Sequence, residues 1–157
     1  MKVLITGTPG TGKTTIAKRV AKKTHSVFIN EAEFALKKGI AEFDLKENEL
    51  ELPLKKLQKE LNKEIKKNKN VVVEGHTLCE TKLNVDKVFV LRVDPELLEE
   101  RLLNRNYNDI KVLDNVFCEG IDYCLKHAER NYKIVVPISN GGSIDSAVNN
   151  ILGEMRK

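Results

Sequence analysis

Residues 7–15 read Gly-Thr-Pro-Gly-Thr-Gly-Lys-Thr-Thr and follow directly on the apolar run Lys2-Val3-Leu4-Ile5-Thr6. The spacing Gly7-x4-Gly12-Lys13-Thr14 is the P-loop signature, which requires a buried strand before it and a helix opening after it. Both flanks are present: 2–6 is short and strand-like, and Thr15-Ile16-Ala17-Lys18-Arg19-Val20 carries a helical pattern. The glycines permit a tight loop whose backbone N–H groups turn inward, and the positive end of the helix dipole adds to them. Such a loop is built to surround a di- or triphosphate. Lys13 then reaches the β- and γ-phosphates, the Thr14 hydroxyl is placed to ligate a Mg²⁺ bridging the same oxygens, and Thr15 contacts the region of the α-phosphate. The competing reading, a glycine-rich turn with a solvated lysine, needs both flanks to be coincidental.

Further apolar runs have the length and the continuous hydrophobicity of buried parallel strands: 26–30, 70–75, 86–94 and 132–138. Helical patterns lie between them. One carries Leu54, Leu57, Leu61 and Ile65 with lysines on its other faces. Asp94-Pro95 is a start signal for the helix ELLEERLLNR, and a last helix follows the turn Asn140-Gly141-Gly142-Ser143. Strands alternating with helices predict one α/β domain over 1–157, a parallel sheet covered on both faces. Its formal charge of +4 suits anionic ligands but is too mild to indicate a nucleic-acid binder. Cys79, Cys118 and Cys124 are odd in number and form no CxxC pair, so neither zinc nor a disulfide framework is signalled. No apolar stretch nears the roughly 20 residues of a membrane span. The expectation is a soluble cytoplasmic protein with reduced thiols and no membrane partner.

Two later segments carry candidate chemistry. In VVVEGH, Glu74 stands at the carboxyl end of a buried strand, where open α/β sheets place their ligand crevice, and a carboxylate there can hold Mg²⁺ directly or through water. His76 could orient a phosphate or a water. In LEERLLNRNYND, Arg101 and Arg105 are four apart on a predicted helix, so they share a face and can approach one anionic target together. The bland alternatives are a strand-end acid, a loop histidine and a solvated helix face. A Ras-type GTPase would carry Asn-Lys-x-Asp, whereas the nearest string here is Asn62-Lys63-Glu64-Ile65. GTPGTGKTT also occurs in large AAA-type ATPases, but those need an appended helical lid domain for which the chain has no room.

The P-loop, the EGH after the third strand, and Arg105-Asn106-Tyr107-Asn108 followed by Lys111, Asp114, Asn115, Cys118 and Glu119 together resemble the adenylate kinase isoenzyme 6 family over nearly the whole length. The resemblance implies a three-layer α/β/α P-loop nucleoside monophosphate kinase fold with a five-stranded parallel sheet in adenylate-kinase order. It further implies an acceptor-binding insertion at about 30–53 and a short lid at about 103–113. Gly10, Thr11, Gly12, Lys13, Thr14 and Thr15 become the ATP cradle, Arg105 the lid residue on ATP, and Lys13, Arg105, Arg101 and His76 the catalytic set, with Thr14 and Glu74 on the metal.

Asn30 with Glu33 forms a capping box at the insertion's start, with Ile29 and Phe34 as its staple. Three positions depart from the family pattern. Glu74 replaces an aspartate, and Leu36-Lys37-Lys38 stands near the place of an arginine that grips the acceptor phosphate. Asn106 replaces a glycine, so the lid hinge is either stiffened or turned through a left-handed asparagine. The implied activity is ATP + AMP = 2 ADP with Mg²⁺, or transfer to another nucleoside monophosphate. The same family implies a second role, a nucleotide-switched ATPase that assists small ribosomal subunit maturation through a ribosomal protein and rRNA. A small-metabolite kinase is the third reading.

Overall fold

A computed structural model describes residues 1–44, 46 and 49–157. Its centre is a five-stranded sheet built from β1 (Lys2–Thr6), β2 (Val27–Asn30), β5 (Val71–Glu74), β6 (Lys87–Arg92) and β7 (Val135–Ser139). The order is β2-β5-β1-β6-β7 with every pairing parallel, Leu4 lying between Val73 and Val88. This is the three-layer α/β/α P-loop kinase architecture that the resemblance implies.

Side chains alternate between the two faces with period two. Leu4, Val71, Val73, Val88 and Val90 face one way, into a core closed by α3 (Leu54–Lys67) and α6 (Tyr123–Asn131). Val3, Ile5, Val72, Phe89 and Leu91 face the other, against α1 (Lys13–Lys23) and α7 (Ile144–Met155). Leu57, Leu61 and Ile65 form the buried stripe of α3, as their spacing predicts. Two of its lysines pair along the helix, Lys63 with Glu60 at 2.6 Å and Lys67 with Glu64 at 2.9 Å, on a solvated face.

The edge strand β7 starts at Val135, three residues later than the apolar run begins. Tyr132 is diverted: its hydroxyl donates to the Leu78 carbonyl at 2.9 Å, in the 3₁₀ turn Thr77–Glu80. At the two ends of β7, Asn140 N–H donates to the Arg92 carbonyl and the Ile134 carbonyl accepts from Val88, so even-numbered residues turn their polar groups toward β6. Pro137 is odd-numbered, and its nitrogen lies on the outer side.

Between β2 and α3 stand α2 (Glu31–Lys37) and the antiparallel pair β3 (Glu42–Asp44) and β4 (Glu49–Glu51). Asn30 caps α2, its Oδ1 accepting from Glu33 N–H at 2.9 Å, and Ile29 and Phe34 enter the same core. Positions 45, 47 and 48 of the expected insertion lie outside the described residues. After β6, α4 (Pro95–Leu103) is capped by Asp94 with Pro95 in its first turn, and α5 (Asp109–Gly120) is capped by Asn108. Leu98, Leu102, Val112 and Val116 hold α4 and α5 together. Among the described residues no helix is long and apolar enough to cross a membrane.

Candidate active site

The first strand delivers the P-loop to the carboxyl edge of the sheet. Gly10 and Gly12 adopt φ of 91° and 88°, a region closed to most side chains. Space is tight there as well: a Cβ on Gly10 would lie 2.8 Å from Leu98 and 2.9 Å from Leu102, and one on Gly12 would lie 2.6 Å from Asn140 Nδ2, so these side chains would have to shift. The loop therefore packs directly on α4 and on the turn after β7. Thr11 is buried, its hydroxyl donating to the Thr8 carbonyl at 2.7 Å. The same carbonyl receives Lys13 Nζ at 3.1 Å. Thr14 and Thr15 stand exposed on the first turn of α1.

Lys13 is buried, and burial depresses its ammonium below the ordinary 10.5, with Glu74 and Glu31 pulling it back and Arg105 adding to the depression. Unfolded, the lysine holds its proton more tightly than folded, so its contribution to stability rises with pH through the window below 10.5. A polyphosphate partner restores proton affinity. ATP binding below 10.5 is expected to take up a proton, the uptake being largest between the depressed and the restored value of Lys13, read by calorimetry in buffers of different ionisation heat.

Glu74 is buried at the end of β5 and accepts from Asn30 Nδ2 at 2.6 Å. His76 follows, its side chain 52% exposed, with Nδ1 3.8 Å from Glu31. Lys13, Glu74 and Glu31 lie within mutual electrostatic reach, and the charge of the exposed Arg105 is felt at Lys13 as the weakest of these influences. The structure thus brings Lys13 of the P-loop and Glu74 within electrostatic reach at the carboxyl edge of the sheet.

Arg101 and Arg105 do not share a helical face. α4 ends at Leu103, and Arg105 lies beyond it in a turn where Asn106 takes φ 58°. Arg101 instead donates to the Asn140 carbonyl at 2.9 Å and braces the turn after β7. Asn106 resolves the hinge question in favour of the left-handed asparagine. Asn106→Gly should leave stability nearly unchanged, whereas Asn106→Val should cost about 1–2 kcal/mol, measurable by thermal denaturation.

Three residues escaped the sequence reading as site components. Glu119, buried on α5, accepts from the Thr8 hydroxyl at 2.7 Å, Arg92 Nε at 2.8 Å and Val93 N–H at 3.1 Å. Arg92 also contacts Asp122. Asn140 donates to the Thr11 carbonyl at 2.8 Å, while its buried Oδ1 has no protein partner among the described residues. Glu31 is the third. Each braces the P-loop or the strand ends from a segment far away in sequence.

Among the described residues no cluster of three or more His, Cys, Asp or Glu could enclose a metal. A hydroxyl and a strand-end carboxylate are instead the sparse oxygen set that suits Mg²⁺, which keeps waters and phosphate oxygens as its other ligands. Thr14 and Glu74 fit that ion.

A family model described as "AAA domain" matches residues 3–122. Residues beyond the match continue the same layers, β7 pairing with β6 and α7 covering the sheet, so they form no separate helical domain. A gluconokinase from Sinorhizobium meliloti shares the fold at a TM-score of 0.66 and 14% identity, covering 99% of this chain and 91% of its own. A shikimate kinase from Bacteroides thetaiotaomicron does so at 0.61 and 16%, covering 100% and 99%. Among curated proteins, "Putative adenylate kinase" of Thermococcus kodakarensis is 39% identical over 100% of this chain and 86% of its own length. Proteins of the same name from Pyrococcus furiosus and Methanocaldococcus jannaschii are 39% and 37% identical, over 97% and 80% of this chain and 82% and 70% of theirs. With that identity over that share of both chains, the chain belongs to the archaeal P-loop family that bears this name.

Proposed function

We propose that the protein is an ATP- and Mg²⁺-dependent nucleoside monophosphate kinase of the adenylate kinase isoenzyme 6 type, carrying out ATP + AMP = 2 ADP. The observation that supports this reading is the buried ammonium of Lys13 in the P-loop, within electrostatic reach of the buried strand-end carboxylate of Glu74. Phosphoryl transfer is catalysed mainly by positioning and charge neutralisation, and these groups supply both. Gly10, Thr11, Gly12, Lys13, Thr14 and Thr15 hold the donor phosphates. α2 and the β3–β4 pair are the acceptor arm, and the turn at 104–108 with the start of α5 is the lid.

An oxygen of the AMP phosphate attacks the γ-phosphorus in line. The new P–O bond forms as the bond to the β,γ-bridging oxygen breaks, and one ADP leaves while the other is made. The AMP phosphate is already an anion, so no strong general base is needed. Lys13 and Arg105 balance the charge carried by the transferred group, and Arg101 holds the turn after β7 against the loop. Mg²⁺, held by Thr14 and Glu74, supplies further neutralisation when bound. Lid closure over the P-loop excludes water from the transfer.

The test is a screen of nucleoside monophosphates with ATP and Mg²⁺, products identified directly. ADP formed from AMP, with turnover lost in a Lys13→Met control, supports the reading. Release of inorganic phosphate with no phosphorylated acceptor removes it.

A second reading, the nucleotide-switched ATPase assisting small ribosomal subunit maturation, is favoured by one surface. Ile110, Leu113 and Phe117 are 74%, 70% and 65% exposed along one stripe of α5. Contiguous exposed apolar side chains are a feature of protein-binding surfaces. Pull-down with a small-subunit ribosomal protein and rRNA, repeated in the ATP and ADP states, tests it. Absence of binding in every state removes it.

A further inference from the structure

Glu31 is the first residue of α2, a position where an acid serves the helix dipole equally well in water. Here it is 3% exposed. Its side chain crosses the end of β5, accepts from Thr77 N–H at 3.4 Å and from the Thr77 hydroxyl, and lies 3.8 Å from His76 Nδ1. That path is open only because residue 75 is glycine: a Cβ there would lie 2.3 Å from Glu31 Oε2 and 2.5 Å from its Cβ. Burial raises the carboxyl above its ordinary value of 4.5, the Thr77 hydrogen bonds and Lys13 offsetting part of the rise. An ionised group in that place costs stability, so helix capping alone gives no reason to bury it.

The surroundings suggest what the buried carboxylate does. The His76 carbonyl accepts from the Cys79 thiol at 3.3 Å and from the Thr6 hydroxyl at 3.5 Å, which ties the backbone down on one side. Glu31 ties the next residue on the other. Its neighbour Asn30 holds Glu74 in the same manner. One junction, between β2 and α2, thereby reaches both Glu74 and the 76–77 turn.

We propose that Glu31 is a positioning residue for His76, locking the 76–77 turn and aiming the imidazole at the reacting phosphates, so that the acceptor arm and the histidine move as one piece. The proposal rests on the kinase reading above and specifies how one part of that site is assembled. Gly75 belongs to the same device, since any side chain there would expel the carboxylate.

The deciding experiment is a double-mutant cycle on the whole protein with AMP, ATP and Mg²⁺, Tm being measured alongside. Glu31→Gln keeps an acceptor for Thr77 but loses the charge beside Nδ1. Its kcat should fall about tenfold with KM for ATP within about twofold. Its Tm should match or exceed that of the parent, because a neutral amide replaces a buried carboxylate. His76→Ala should lose a similar amount, and the double variant no more than either single. Gly75→Ala should reproduce the kcat loss while lowering Tm.

Full kcat in Glu31→Gln, losses that multiply in the double variant, or a kcat loss in Glu31→Gln matched by a fall in its Tm would each overturn the proposal. If the parent makes no ADP from AMP, the kinase reading fails instead. The same cycle read on ATP hydrolysis then decides the Glu31–His76 coupling independently.

Discussion

Lys13→Met is expected to lower kcat/KM for phosphoryl transfer by about 10³-fold or more while the chain keeps its fold. The side chain is buried and of nearly the same length as methionine, so the apolar stem is preserved. Among the described residues the ammonium donates to the Thr8 carbonyl, which still receives the Thr11 hydroxyl. What disappears is the single buried cation at the centre of the loop, whose charge in a desolvated site is worth far more than in water. Burial already depresses this ammonium, so replacing it with a neutral group also removes a desolvation cost, and Tm should hold or rise slightly. Steady-state kinetics with paired thermal denaturation checks both halves. Retention of more than a tenth of the activity would mean that the loop's backbone donors and Arg105 suffice.

Glu119→Ala should be the most destabilising single change at this site. The carboxylate is 2% exposed and satisfies three donors: the Thr8 hydroxyl, Arg92 Nε and Val93 N–H. Truncation leaves Val93 N–H without this partner, leaves the Thr8 hydroxyl only the long contact to the Cys124 thiol at 3.9 Å, and deprives Arg92 of one of its two anions. Breaking a buried pair costs about 3–5 kcal/mol, and the lower end applies because Arg92 is partly exposed and retains Asp122. For a domain of this size that corresponds to a Tm lower by about 10 °C. Nucleotide affinity should fall too, since the Thr8 that Glu119 anchors also carries the carbonyl that receives Lys13 and Thr11. Glu119→Gln should lose less than Glu119→Ala, because its oxygen can still accept from Arg92 and Val93 N–H while its N–H₂ donates to the Thr8 hydroxyl, only the charge beside Arg92 being lost. A variant with unchanged Tm would show that Arg92 and Asp122 hold the strand end alone.

What the sequence made legible was local. The P-loop is a contiguous string whose spacing dictates its shape, and the four runs after it are apolar enough to be recognised as strands with both faces covered. Their ends are less certain: Tyr132 belongs by composition to the last strand, yet its hydroxyl is drawn to Leu78 and the strand starts later. α5 and α6 were not anticipated, although Asn108 before an apolar periodic segment, accepting from Lys111 N–H at 2.8 Å, was an available start signal. α5 is hard to read because it is apolar on two sides, Val112 and Val116 against α4 and Ile110, Leu113 and Phe117 outward.

The bracing residues could not be read at all. Thr8 and Glu119 are 111 residues apart, Thr11 and Asn140 129, Glu31 and Thr77 46. Each looks like an ordinary helix or turn residue until the sheet brings its partner alongside. The helix range explains the one misplaced pair: four residues apart means a shared face only while the helix lasts, and α4 stops before Arg105.

The outer border of β7 bears on behaviour in crowded solution. A rim strand offers a row of free donors and acceptors on which a stray extended segment can align, the first step toward ordered aggregates. Pro137 deletes one of those donors at mid-strand, and because its nitrogen faces away from β6 the deletion removes nothing from the native ladder. The sheet is thereby discouraged from growing sideways at no cost to its own cohesion.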